Sequence, residues 1–212
     1  DIKDFDRESL SALLDTARDM KSGHDVGRPL EGLHIGMIFE KPSTRTRVSF
    51  EVGISQLGGT PVFLAASDLQ LGRGETVGDT AKVLSRYLDG LMIRAMKHET
   101  LTELVKHATV PVINGLTDRS HPCQILADLQ TVIEHHGSLK NEVIVWFGDG
   151  NNVANSWIEA AALFGFELRL VGPEAYHPSA ELIAWALEKG ANIVVTKDAQ
   201  KAACNASVLV TD

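Results

Sequence analysis

The sequence predicts an α/β fold with two αβα domains, each built on a mainly parallel four-stranded sheet, the second domain incomplete. Three observations predict it. Short apolar, β-branched runs recur along the 212 residues, helix-length segments separate them, and the strongest runs are continuously apolar. Strands joined through helix-length connections pair in parallel. Continuous apolar runs such as Val143-Ile144-Val145-Trp146-Phe147 suit a sheet covered by helices on both faces.

Taken in order, the first four strands are expected at 33–39, 61–65, 90–94 and 110–113. The segment between the first two opens at Ser43, a suitable N-cap, and runs as a helix to Gly58-Gly59. A longer helix is expected over 121–136. Pro122 suits its first turn, and Ile125, Leu126, Leu129, Val132 and Ile133 recur at helical spacing. The remaining strands are expected at 142–147, 166–171, 192–196 and 207–211. The helix 121–136 joins the two αβ layers, which puts one domain at 1–136 and a second at 137–212. The second stops at Val210-Thr211-Asp212, directly after a strand, so a C-terminal portion is expected to be missing.

Lys and Arg number 20 against 28 Asp and Glu, a net charge of −8. So acidic a chain is poorly suited to wrapping nucleic acid or lying on an anionic membrane. With 44% hydrophobic and 23% charged residues it has the composition of a folded globular protein. No apolar run approaches the ~20 residues of a membrane helix. The opening Asp1-Ile2-Lys3-Asp4 is not a secretory leader, and a cytoplasmic protein is expected. Cys123 and Cys204 have neither disulfide-framework nor zinc-site spacing, and no metal centre is expected.

Ligands of open α/β sheets sit outside the carboxyl ends of strands, so the loops entering helices are where chemistry is expected. In Glu40-Lys41-Pro42-Ser43-Thr44-Arg45-Thr46-Arg47, hydroxyls and cations surround free helix N–H groups, an arrangement suited to a phosphate. A capped helix whose arginines merely face water fits this local pattern equally well. Arg94 ends a strand at the same kind of rim. In Asn114–Gln124 the sequence His121-Pro122-Cys123-Gln124 starts a helix with His121 and Gln124 on one side. A neutral imidazole there could donate to a polarised carbonyl; a cap-region histidine bonded to nearby backbone is the alternative. Gly148-Asp149-Gly150-Asn151-Asn152-Val153 approximates a dinucleotide fingerprint, but Val153 stands where the third glycine belongs. Glu174 could imitate the ribose acid, although it lies 26 residues after Gly148 and beyond a strand that ends in Gly-Pro. Paired asparagines at a strand exit suit a polar zwitterion better than NAD. The glycine-punctuated stretch from Asp68 to Glu75 reads as a surface loop. His135-His136 close a helix, where the dipole favours them without a metal.

Taken together, Ser43-Thr44-Arg45-Thr46-Arg47, His121-Pro122-Cys123-Gln124 and Gly148-Asp149-Gly150-Asn151-Asn152, in this order and each at a strand-to-helix loop, resemble the aspartate/ornithine carbamoyltransferase family. Ala154-Asn155-Ser156 and the terminal Val-Thr-Asp resemble its ornithine branch more closely. The resemblance spans essentially the whole chain. It implies transfer of a carbamoyl group from carbamoyl phosphate to the δ-amino group of L-ornithine, as in arginine biosynthesis, without metal or organic cofactor. It implies that Ser43, Thr44, Arg45 and Thr46 hold the phosphate, that Arg94, His121 and Gln124 contact the carbamoyl end, with Arg94 and His121 on the carbonyl oxygen, and that Pro122 and Cys123 belong to the same carbamoyl phosphate-binding set. Arg45, Arg94 and His121 would be the catalytic group. Gln70 would reach a neighbouring subunit's site in a homotrimer, and Asn152 and Asp212 would bind the amino-acid end of ornithine. The family's pattern continues beyond Asp212, so putrescine or an N-acylated ornithine remains an alternative acceptor. Uptake of carbamoyl phosphate without turnover is a further alternative, and an NAD-binding dehydrogenase domain a more distant one.

Overall fold

The computed structural model describes residues 1–65, 69 and 74–212. Among them, parallel strands alternate with helices as the sequence predicts. They assemble into two four-stranded sheets belonging to two compact units, residues 23–118 and residues 1–22 with 119–212.

In the unit 23–118 the strands are β1 (His34–Phe39), β2 (Thr60–Ala65), β3 (Gly90–Arg94) and β4 (Val112–Leu116), in spatial order β2-β1-β3-β4. Its helices are, in chain order, Thr44–Gln56, Val77–Leu84 and His98–His107. Parallel neighbours need such crossovers, and helices on both faces explain why β1 buries Met37, Ile38 and Phe39 in succession. Ile38, Leu91 and Ile93 pack with Ala81, Leu101 and Leu104 on one side; Met37 and Met92 pack with Ile54 on the other.

The fourth strand departs from expectation. The sequence placed it at 110–113, with Asn114-Gly115 read as a loop, whereas β4 continues to Leu116 and pairs with Arg94 across a register shift. The reason is local. An added Cβ on Gly115 would lie 2.6 Å from the Met92 sulfur, so glycine there permits close strand contact and does not mark a turn. The helix entered at Ser43 ends at Gln56, two residues short of Gly58-Gly59.

The second unit holds β5 (Val143–Phe147), β6 (Glu167–Val171), β7 (Asn192–Thr196) and β8 (Val208–Thr211), in spatial order β7-β6-β5-β8 and all parallel. In chain order the α-helices among the described residues are α1 (Arg7–Lys21), α2 (Thr44–Gln56), α3 (Val77–Leu84), α4 (His98–His107), α5 (Pro122–His136), α6 (Asn152–Phe164), α7 (Ala180–Glu188) and α8 (Ala199–Ala203). Trp146, Trp157 and Phe166 centre the core, with the Trp157 and Phe166 rings edge to face at 5.9 Å. Such a pair adds about 1 kcal/mol to its area burial. Packing groups the chain differently from a cut at 136/137. The apolar faces of α1 (Leu10, Leu14) and α5 (Ile125, Leu129, Val132) are buried in this second core, so both helices belong with the second sheet. No described helix is long and apolar enough to cross a membrane.

Candidate functional site

The unit 23–118 gathers its candidate residues at the carboxyl ends of β1 and β3. Ser43 caps α2 in extended conformation: its Oγ accepts the Thr46 N–H at 3.4 Å and donates to Thr46 Oγ1 at 3.0 Å. That satisfies one of the first-turn amides and leaves others directed outward. Arg94 is paired beside Phe39, where its carbonyl accepts the Glu40 N–H at 2.9 Å. Its Nη1 donates to Thr46 Oγ1 at 3.1 Å, which joins the strand end to the helix turn. The buried Nε of Arg94 has no hydrogen-bond partner among the described residues. Burial first, and the charge of Arg45 second, push the Arg94 guanidinium below its ordinary pKa. Two arginines near each other, one half-buried, are electrostatically costly unless an anion joins them. Arg45 and Thr44 are exposed in the same turn.

Among the cations of this segment, Arg47 is otherwise engaged. Its guanidinium stacks 3.8 Å from the Phe63 ring centroid and lies 3.4 Å from Glu51, so it supports α2 and does not join Arg45 and Arg94. Glu40 also acts within the loop, accepting the Met96 N–H. Gln70 lies outside the described residues.

In the second unit, His121 is the N-cap of α5 and Pro122 its first residue. The His121 N–H donates to Ser156 Oγ at 2.9 Å, and Ser156 is fully buried in α6. Asn155 Nδ2 donates to the Arg119 carbonyl at 3.0 Å, a second link between α6 and the segment entering α5. Cys123 is in no disulfide, and burial pushes its thiol above its ordinary pKa, which disfavours the reactive thiolate. Gln124 is exposed, and its Nε2 donates to Asp128 Oδ1 at 2.8 Å.

At the carboxyl end of β5, Asn151 caps α6, its Oδ1 accepting the N–H groups of Val153 (2.9 Å) and Ala154 (3.1 Å). Asn152 is the first helical residue. The adjacent strand β8 delivers Asp212, whose Oδ2 lies 3.5 Å from Asn151 Nδ2. The structure therefore brings the two expected ornithine contacts, Asn152 and Asp212, to one sheet edge. The dinucleotide alternative loses support here. A Cβ on Gly150 would fall 2.4 Å from Pro178 backbone atoms, so the chain's own His177-Pro178 segment occupies the space a pyrophosphate needs beside the second glycine.

Sequence reasoning missed Asp128 and the bond between Ser156 and His121. Asp128 had a signal, because it stands four residues after Gln124 on one helix face. Ser156 stood in the sequence only within the Ala154-Asn155-Ser156 resemblance, and only the packing of α6 brings it to His121. Among the described residues no group of three or more His, Cys, Asp or Glu side chains is placed to hold a metal ion.

Residues 1–134 match the aspartate/ornithine carbamoyltransferase carbamoyl-P binding domain, and residues 140–212 match the Asp/Orn binding domain of the same family. The ornithine carbamoyltransferase of Agrobacterium fabrum is 50% identical over 215 residues, which span all of this chain and 70% of that protein. Among solved structures, the ornithine carbamoyltransferase of Pyrococcus furiosus superposes with a TM-score of 0.95 at 46% identity, covering all of this chain and 70% of that one. That of Campylobacter jejuni, described as anabolic, superposes with a TM-score of 0.93 at 39% identity, covering all of this chain and 71% of that one. The chain belongs to the aspartate/ornithine carbamoyltransferase family.

Proposed function

We propose that the chain catalyses carbamoyl transfer from carbamoyl phosphate to the δ-amino group of L-ornithine, giving L-citrulline and phosphate. The observation that carries this reading is the turn at the head of α2. There Arg94, with an unpartnered buried Nε, bonds Thr46 beside the charge of Arg45 and the free amides of a helix N-terminus. A dianionic phosphoryl group supplies what this turn lacks, and each charge-assisted hydrogen bond is worth ~1.5–3 kcal/mol.

In this reading Ser43, Thr44, Arg45 and Thr46 hold the phosphate, Arg94, His121 and Gln124 contact the carbamoyl end, and Pro122 and Cys123 complete the carbamoyl phosphate-binding set. The free δ-amine attacks the carbamoyl carbon, and the new C–N bond leaves negative charge on the carbonyl oxygen. Arg45, Arg94 and His121 stabilise that oxygen, at ~3–4 kcal/mol for a well-placed donor. The C–O bond to phosphate then breaks and the amine loses its proton. Asn152 and Asp212 bind the amino-acid end of ornithine, a carboxylate such as Asp212 suiting its α-ammonium group. No protein nucleophile takes part in this reading, and the raised pKa of Cys123 disfavours its thiolate. The same reading includes a role in arginine biosynthesis, a cytoplasmic location and a homotrimer in which Gln70 serves a neighbouring subunit.

The deciding experiment is calorimetric titration with carbamoyl phosphate, followed by assay of citrulline formation. Arg45→Ala should abolish measurable carbamoyl phosphate binding; unchanged affinity overturns the reading. Product formed with putrescine or N-acetylornithine, and not with ornithine, reassigns the acceptor. Binding without any turnover restricts the 212 residues to carbamoyl phosphate uptake.

A further inference from the structure

We propose that Asp128 is a positioning residue that fixes the direction of the Gln124 side-chain amide, so that Gln124 offers its carbonyl oxygen to a ligand's amide NH2 group. The inference rests on the reading of Gln124 as a contact to the carbamoyl end. Gln124 stands in the first turn of α5 and Asp128 one turn later, on the same face. The Gln124 Nε2 donates to Asp128 Oδ1 at 2.8 Å. Asp128 is half-buried, and among the described residues Gln124 is its one hydrogen-bond partner, with no cation at ion-pair distance.

The chemistry follows from what each end of an amide can do. An ionised carboxylate only accepts, so the NH2 end of Gln124 must face Asp128 and Oε1 must turn away. A primary amide on a ligand donates to an oxygen so placed; a methyl group of the same size does not. Were the amide free to rotate, it would present a donor as often as an acceptor, and the distinction would be lost. Keeping a half-buried carboxylate without a counter-ion is itself unfavourable. Burial indeed raises this carboxyl above its ordinary pKa, against the lowering effect of the Gln124 bond. A helix face that only had to be polar would not need such a group. Asp128 therefore acts through Gln124 as the element that selects carbamoyl over acetyl.

The test compares two stable phosphonates on the 212-residue chain by calorimetry: phosphonoacetamide, which carries the NH2 group, and acetonylphosphonate, which carries CH3 in its place. The parent should prefer the amide by roughly tenfold, the effect of one neutral hydrogen bond. Asp128→Asn should bring that ratio close to unity while leaving the affinity for inorganic phosphate unchanged, a readout that a merely structural loss would not spare. In a Gln124→Leu background, Asp128→Asn should change the ratio no further. A ratio unaffected by Asp128→Asn overturns the inference and leaves the phosphate reading standing; a parent chain that binds no inorganic phosphate overturns both. Should Asp128→Asn not fold, the side-chain NH2 resonances of Gln124 in the parent decide. Exchange of these protons with water slower than in free glutamine supports an amide held by Asp128, and exchange as fast as in free glutamine overturns it.

Discussion

Replacing Arg94 by Met separates a binding residue from a structural one. Arg94 is half-buried at the end of β3, donates to Thr46 Oγ1 at 3.1 Å and is disfavoured by both its burial and the charge of Arg45. Methionine keeps most of the aliphatic stem that packs at the strand end. The free protein then loses one hydrogen bond, worth about 1 kcal/mol, and is relieved of a half-buried charge beside a like charge. These effects oppose each other, so unfolding free energy should change by no more than about 1 kcal/mol in either direction. Binding has no such compensation. Loss of one charge-assisted bond to a phosphorylated ligand, at ~1.5–3 kcal/mol, predicts a Kd for carbamoyl phosphate raised roughly 10- to 150-fold. Urea unfolding and calorimetric titration of the same preparation measure both. A variant that binds as tightly as the parent refutes the reasoning. So does one destabilised by more than about 3 kcal/mol, which would make Arg94 a structural ion and not a poised one.

Ser43→Ala removes the α2 cap and should cost about 1 kcal/mol in urea unfolding, with Ser43→Asp restoring stability and not phosphate affinity, because a fixed negative charge competes with the ligand. Cys204, exposed, should be alkylated by iodoacetamide well before Cys123, whose raised pKa delays its thiolate to higher pH; mass mapping of the first modified site checks the order. Glu159 is almost fully buried in α6, accepts the Lys3 N–H at 3.2 Å and is raised by burial from the ordinary 4.5. The folded state therefore holds this proton more tightly than the unfolded chain. Glu159 costs stability progressively as pH rises from the unfolded value through the folded one. Glu159→Gln should gain stability relative to the parent between acid and neutral pH, and a difference constant with pH from urea unfolding would contradict that sign.

The strands were legible because their residues leave little choice: β3 and β7 are found at the expected positions, and β1, β2, β5, β6 and β8 differ only at their first residue. Continuous β-branched runs report burial on both faces directly. The Ser43 cap was legible for the same kind of reason, being set by residues three apart. What remained hidden depends on partners distant in sequence. Asn114-Gly115 has the composition of a turn, and only the neighbouring Met92 shows why glycine belongs inside β4. Arg47 looked equivalent to Arg45 until Phe63, on β2, was seen beneath its guanidinium. That α1 and α5 bury their apolar faces in the second core is likewise a matter of long-range packing, since their periodicity shows that a face is buried and not against what.

The helix starts capped by Ser43 and by Asn151 also differ in what they can receive, although both follow the carboxyl end of a central strand. At α2 the cap takes one amide, no acidic residue stands in the first turn, and Arg45 crowds the positive end of the dipole. By contrast α1, α3, α4 and α7 carry Glu8, Asp79, Glu99 and Glu181 in their first turns, the arrangement that stabilises a helix by itself. The positive charge at α2 is thus unfavourable for the empty fold and favourable only with an anion present. At α6 the Asn151 side chain already accepts two amides, and the carboxylate of Asp212 stands 3.5 Å from that same side chain. An anion arriving there would find its donors taken and a negative charge nearby, whereas an ammonium group would find an acceptor. In the proposed reading, the α2 turn is accordingly the one suited to a phosphate and the α6 turn the one suited to the amino end of a zwitterion, a difference that follows from which side chain caps each helix.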